Sequence, residues 1–209
     1  MQAEEFVKST LENESSGHDW HHLDRVRRNA LKISKEEQKG DLLVIELAAL
    51  LHDLPDEKLQ DTVGNGEVLV NEFLESISIE LNQKEHIKEI IDTISYNGGD
   101  EKPLCSFEAE AVRDADRLDA IGAIGVARAF AYGGKKGRPI FDPDLKVRES
   151  MTLAEYRNGK TSSLHHFEEK LFKLKSLMKT EAGKRMAEER HQFMEEFVQQ
   201  FLWEWVGER

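Results

Sequence analysis

Cysteine is nearly absent: Cys105 is the only one in 209 residues, so neither an intrachain disulfide nor a thiolate metal cluster can form. Cys105 is therefore read as structural. Proline is scarce as well, with 4 in the chain, which suits long helices. No apolar stretch is long. The run Leu42 to Leu51, interrupted by Glu46, falls well short of the roughly 20 residues that a membrane-spanning helix needs. The opening Met1-Gln2-Ala3-Glu4-Glu5 lacks the basic start of a signal peptide, and these absences together point to a cytoplasmic protein without membrane attachment. A cationic excess is missing too. The formal charge of -12 disfavours long nucleic acid and anionic membranes, both of which are held by positive surface. Small phosphorylated ligands stay compatible, because they need only a local cluster of cations. No segment alternates apolar and polar residues over the length of a strand, and no internal repeat or low-complexity tract interrupts the chain.

What is present is helical periodicity. With 39% hydrophobic and 33% charged residues, a chain of this length suits a single domain, 1–209, with a sizeable core. Phe6, Val7 and Leu11 predict a short first helix within residues 3–13. Asp19 can cap a second helix running to about Lys39, where Gly40 stops it. Asp41 opens a third, apolar nearly all round and so placed in the middle of the bundle, and Pro55 ends it. Val68, Leu69, Phe73, Leu74 and Ile77 predict a fourth, and Asn82 with Glu85 resembles a capping box opening a fifth through Ile94. Ser106 can cap a long helix from Phe107, read through Gly122 and Gly125. Each of those glycines costs about 1 kcal/mol relative to Ala, so close helix packing is the expected reason for them. Residues 131–150 change character and are read as an ordered loop or lid. Thr152 with Glu155 can cap a short helix. Phe167, Leu171, Leu174 and Met178, then Met186, Phe193, Phe197, Phe201 and Trp205, predict two C-terminal helices packed on the core. The fold class is all-α, a helical bundle.

The chemistry gathers around Leu50-Leu51-His52-Asp53, where an imidazole and a carboxylate leave the end of the most apolar helix. His22 precedes it on the helical pattern His22, Val26, Ala30, Ile33, and Asp116 follows it in Asp114-Ala115-Asp116-Arg117-Leu118-Asp119. Two imidazoles and two carboxylates can hold one divalent cation and leave about two positions of an octahedron for water or phosphate oxygens. Such donors favour Mn²⁺, with Mg²⁺, Fe²⁺, Co²⁺ or Ni²⁺ as alternatives. Each residue also has an ordinary reading: a buried histidine is commonly just hydrogen-bonded, and Asp116 could pair with Arg113 or Arg117.

His22, His52-Asp53 and Asp116 resemble the ligand set of the HD-domain phosphohydrolase superfamily, and the flanking words sharpen the likeness. Gly17-His18-Asp19-Trp20-His21-His22, His52-Asp53-Leu54-Pro55-Asp56-Glu57 and Asp114 to Gly122 are similar to a bacterial subgroup that includes nucleoside triphosphate pyrophosphohydrolases. These core motifs span residues 17–122, and residues 130–206 also look like that subgroup. The resemblance implies an HD-type helical bundle hydrolysing phosphate esters or anhydrides with a divalent metal. It implies a phosphate or water contact for His18 and a carboxylate near Asp56 and Glu57.

Hydrolysis needs a polarised phosphorus and an activated water, and a bound cation supplies both. Asp56 or Glu57, just beyond the buried helix end, could serve as general base; the ordinary alternative is a surface pair with Lys58. Cations for the phosphates are sought at Arg25, at Lys135, Lys136 and Arg138 in the glycine-rich loop, and at Lys170, Lys175 and Arg190. That loop lacks the spacing of a P-loop, and Lys135 and Lys136 also read as solvated. Loop 131–150 and the helices of 164–206 are expected to complete the pocket. Asp119 could orient a ligand or pair with a cation, Asp19 could be only a cap, and His21 and His86 read as surface residues. His191 reads as inward, while His165 and His166 remain undecided. The expected substrate is a small phosphorylated molecule, foremost a (deoxy)nucleoside triphosphate cut to monophosphate and pyrophosphate. A phosphomonoesterase, a cyclic phosphodiesterase and a non-catalytic nucleotide-binding module are the alternatives. Long nucleic acid and membranes are not expected partners, and a homodimer is the assembly left open.

Overall fold

Each helix begins where a side chain can satisfy the backbone N–H groups that a helix start leaves without partners. In the computed structural model, which describes residues 2–12, 19–55, 65–94, 103–148 and 159–208, all regular structure among the described residues is helical. The chain divides into two compact units, Met1–Asp116 and Arg117–Arg209.

The first unit holds α1 (Gln2–Thr10), α2 (Trp20–Glu37), α3 (Leu42–Leu51), α4 (Gly66–Ser76), α5 (Leu81–Ile94) and most of α6 (Phe107–Asp119). Asp19 caps α2, its Oδ1 accepting from the His22 N–H at 2.9 Å. Gln38 then turns left-handed at φ 55° and closes the helix onto the Ser34 carbonyl. Asp41 caps α3 by accepting from the N–H groups of Leu43 and Val44 at 2.9 and 3.3 Å. α3 buries Val44, Ile45 and every residue from Leu47 to Leu51, while Leu42 and Leu43 at its start face solvent. Burial of each large apolar side chain contributes about 1.5–3 kcal/mol, which makes α3, packed against α1, α2 and α5, the axis of this unit. Arg27 reaches Glu4, Asp24 and Glu46 on three helices, and Phe6 stacks on Phe73 at 4.5 Å to join α1 to α4. The start of α5 departs from the sequence reading. It begins at Leu81, and the returning half of the capping box is Gln83, whose Oε1 accepts from the Glu80 N–H at 3.3 Å. Ser106 caps α6 as expected, accepting from the Ala109 N–H at 3.2 Å.

The second unit corrects the reading of one long helix through Gly122 and Gly125. α6 stops at Asp119, and a new helix, α7 (Gly122–Lys135), starts from Gly122 at φ +73°. A Cβ at Gly122 would lie 3.0 Å from carbons of Arg190, and one at Gly125 would lie 2.3 Å from the Ala120 carbonyl oxygen. Close approach is thus the reason for both glycines, but at a junction between helices. α7 also extends over Tyr132-Gly133-Gly134, which the sequence assigned to a loop. The described segment after it is ordered: Ser163 and Leu164 donate to the Pro139 and Ile140 carbonyls, both at 3.0 Å. The first of the two expected C-terminal helices is a short α8 (His165–Glu169) continued by a 3-10 stretch, Leu171–Leu177, and the second is α9 (Glu181–Trp205). Phe130, Phe167, Phe197, Phe201, Phe141 and Trp205 form an aromatic cluster with ring centroids 5.1 to 6.3 Å apart. The expected helix near Thr152 and Glu155 lies outside the described residues.

Candidate metal centre

Helix geometry and burial bring four side chains of the first unit together. His22 lies on the inward face of α2 with Val26, Ala30 and Ile33, and is 1% exposed. His52 and Asp53 follow the last residue of α3 and are 7% and 9% exposed. Potential ligand atoms of these three residues lie within 4.8 Å of one another. The His22 Nε2 is 3.2 Å from Asp53 Oδ2 and 3.5 Å from Asp116 Oδ1. The His52 Nε2 is 3.3 Å from Asp53 Oδ1 and 4.0 Å from Asp116 Oδ1. Asp116, on α6, differs from the others in having a side chain 48% exposed, so the cluster opens to solvent on its side.

The donor set fits a divalent cation. Ligands at about 2.0–2.2 Å from one ion sit roughly 3–3.5 Å apart, and three of the four separations fall in that range. The His52 Nδ1 is 2.9 Å from the Ala49 carbonyl oxygen, which can only accept, so Nδ1 carries the proton and Nε2 presents its lone pair. That Nε2 is buried with no hydrogen bond, a costly state for a polar atom unless a cation or water meets it. The carboxylates of buried Asp53 and half-exposed Asp116 meet at the same His22 nitrogen and would also repel each other without a compensating positive charge. The role of the Ala49 carbonyl is invisible in the sequence, since a backbone acceptor is set by the helix end and not by residue type.

The other predicted site residues are distributed over both units. His18, Asp56 and Glu57 lie outside the described residues. Arg25 is half-buried on α2, one turn from His22 and on the same side of the helix. In the second unit Lys135 and Lys170 are exposed, and Lys136 and Arg138 flank the Tyr132 ring at 5.8 and 5.6 Å. Lys175 pairs with Glu188 at 3.2 Å. Arg190 donates to the Leu118 carbonyl and lines a groove of about 300 Å³ with Ile121 to Ile124, Glu189 and Phe193. Burial lowers its affinity for a proton, and the nearby Asp119 opposes that effect. Asp119 is committed to an ion pair with Arg128 at 2.6 Å. Arg113 and Arg117, considered above as partners of Asp116, donate to the Thr93 and Leu177 carbonyls at 2.7 and 2.6 Å.

The remaining histidines are now placed. His21 is exposed as read. His86 is no mere surface residue, because its Nε2 is 2.9 Å from Ser106 Oγ. His165 is buried against Ser162 Oγ at 2.8 Å, and His191 is buried with Nε2 3.3 Å from Glu195. His166 is held neutral, its pKa lowered to about 4 by burial and by the charges of Lys170 and Arg138. An ion pair that the sequence did not disclose links half-buried Arg148 to buried Glu169, with Nε and Nη2 each donating at 2.7 Å. Thr161 adds a third donor to Glu169 at 3.1 Å.

An all-helical chain with this cluster is a metal-dependent phosphohydrolase. It belongs to the HD domain family, whose pattern it matches over residues 19–121. It is 41% identical to the protein YpgQ of Bacillus subtilis over 197 residues, covering 93% of this chain and 88% of YpgQ. A crystal structure of an HD-superfamily hydrolase from Bacillus thuringiensis superposes with a TM-score of 0.79 at 43% identity, covering 99% of this chain and 96% of that one. The crystal structure of B. subtilis YpgQ in complex with ADP superposes with a TM-score of 0.78 at 34% identity, covering 99% and 98%. No described helix is long and apolar enough to cross a membrane.

Proposed function

We propose that this chain hydrolyses a nucleoside triphosphate, in its ribo or deoxy form, to the monophosphate and pyrophosphate in the cytoplasm. The observation that carries the reading is the convergence of the His22 and His52 Nε2 atoms with the Asp53 and Asp116 carboxylates. These four residues would hold one divalent cation, with Mn²⁺ favoured by the mixture of imidazole and carboxylate donors. When bound, the cation supplies Lewis acidity toward phosphate oxygens and lowers the pKa of water. The exposed Asp116 side leaves room for phosphate, while the buried histidines exclude solvent behind the site.

Asp56 or Glu57 accepts the proton of the attacking water, with His18 orienting the water or a phosphate oxygen. The water oxygen bonds to the α-phosphorus and the bond to the bridging oxygen breaks. The departing pyrophosphate carries high negative charge, which Arg25, Lys135, Arg138, Lys170, Lys175 and Arg190 would offset. That YpgQ has been crystallised with ADP supports a nucleotide as the ligand class.

Hydrolysis in ¹⁸O water, with products resolved by mass, tests the bond that is cut. Label in the nucleoside monophosphate is the expected result. Label found only in inorganic phosphate overturns it in favour of a phosphatase using the same residues.

A further inference from the structure

Arg113 is a cation placed where packing alone would favour an apolar side chain. It is 8% exposed and its Nη2 donates to the Thr93 carbonyl at 2.7 Å. Thr93 stands in the last turn of α5, which ends at Ile94, and the final carbonyls of a helix have no N–H partner within it. The guanidinium thus satisfies a helix end on α5 from a position on α6 one turn before Asp116. Elsewhere on α6, the Glu108 Oε1 accepts from the backbone N–H of Asp41 at 3.0 Å, tying the first turn of α6 to the cap of α3. Ser106, the cap of α6, is joined to His86 of α5 at 2.9 Å. α6 is therefore held at its start by α3 and α5, and again at Arg113 by α5.

Those attachments define where Asp116 stands. A helix that slips by one residue advances about 1.5 Å and turns about 100°, enough to carry the Asp116 carboxylate away from His22 and His52. Burial of Ala109, Val112, Ala115 and Leu118 selects the face of α6 that turns inward and so opposes a full-residue slip. The hydrogen bond from the planar Arg113 guanidinium to one carbonyl is directional and fixes the finer placement of the helix, to which the separations between metal ligands are sensitive.

We propose that Arg113 is a positioning residue: by fixing α6 on the last turn of α5, it sets Asp116 against the two imidazoles and thereby sets the affinity for the divalent cation. The proposal rests on the metal-centre reading given above. The test is titration of Mn²⁺ into the metal-free full chain, with the thermal midpoint of each metal-free variant measured alongside. Arg113→Met is expected to raise the dissociation constant about 10- to 100-fold, the range observed when a group orienting a metal ligand is removed. Arg113→Lys, which keeps one donor, is expected to lie between. Phe73→Ala is the control, since it breaks the stack with Phe6 between two helices that carry none of the four ligands. It is expected to lower the midpoint and leave the affinity unchanged. Wild-type affinity in Arg113→Met overturns the proposal, as does an equal loss of affinity in Phe73→Ala. Should Arg113→Met not fold, Arg113→Lys decides, with unchanged affinity counting against. Failure of the wild-type chain to bind Mn²⁺ would instead overturn the metal-centre reading itself.

Discussion

The Nδ1–H of His52 donates to the carbonyl of Ala49 at 2.9 Å, and that single bond settles which nitrogen faces Asp53. Ala49 lies three residues earlier, in the last turn of α3, where carbonyls lack helical partners. The end of the most buried helix therefore supplies the acceptor that orients the ring. A cation site built this way needs no further side chain to set the tautomer of His52.

Asp53→Ala should abolish metal binding. Its two oxygens lie 3.2 and 3.3 Å from the two imidazoles, so its loss removes the carboxylate common to both and leaves a dication poorly balanced. Elemental analysis should find about one divalent ion per wild-type chain and none in the variant. Full occupancy in Asp53→Ala would refute its role.

Asp56→Asn and Glu57→Gln should separate base from ligand. Whichever residue takes the proton should lose about 10²- to 10⁴-fold in kcat on substitution while its metal content stays at the wild-type level. Single-turnover rates together with metal analysis provide the readout. Wild-type turnover in both variants would move the base to His18 or Asp19.

Glu169→Gln should destabilise the second unit by about 1–3 kcal/mol, less than the loss for a fully buried pair because the Arg148 side chain left without its partner is 20% exposed. Glu169 is 3% exposed and receives two charged donors from Arg148. The double variant Arg148→Met, Glu169→Leu should cost less than Glu169→Gln alone, because it leaves no lone half-buried charge. Chemical denaturation of the three proteins checks the order.

Acid should weaken the fold in two stages. The folded-state pKa of His166 is about 4, below the ordinary 6.5, so the unfolded chain takes up its proton first as pH falls. Stability should therefore drop between about pH 6.5 and 4, by on the order of 2 kcal/mol given that the ring keeps some solvent contact. Burial raises the Glu169 carboxyl, but the bonds from Arg148 and Thr161 outweigh it and leave the pKa below its usual value of 4.5. Its contribution is present above about 4.5 and is lost as pH falls through the folded value. His166→Gln should flatten only the upper stage in thermal melts taken across pH. An unchanged slope between pH 6.5 and 4 would exclude His166 as its source.

Local signals were legible where one residue acts on its own backbone. Asp19, Asp41 and Ser106 are legible as caps, and each accepts from an N–H group of the turn that follows. The apolar α3 was placed inside the bundle for the same reason, since ten residues with a single charge have no polar face to turn outward. Gly122 shows the limit. A glycine that eases packing inside a helix and one that starts a new helix at positive φ are the same letter, and only the approach of Arg190 distinguishes them.

By itself the sequence determined the residue types of the cluster, the helices that carry His22 and Asp116 and the helix end that His52 and Asp53 follow, because cap chemistry and apolar periodicity are local properties of the chain. The tertiary structure alone decided the 3.2 to 4.0 Å separations among His22, His52, Asp53 and Asp116 and the tautomer of His52. It alone decided that Arg113 serves a carbonyl on α5 and Arg148 serves Glu169. An arginine reaches several ångströms and bonds to any carbonyl or carboxylate within that reach. Its partner is therefore chosen by how the helices pack, which no spacing along the chain encodes.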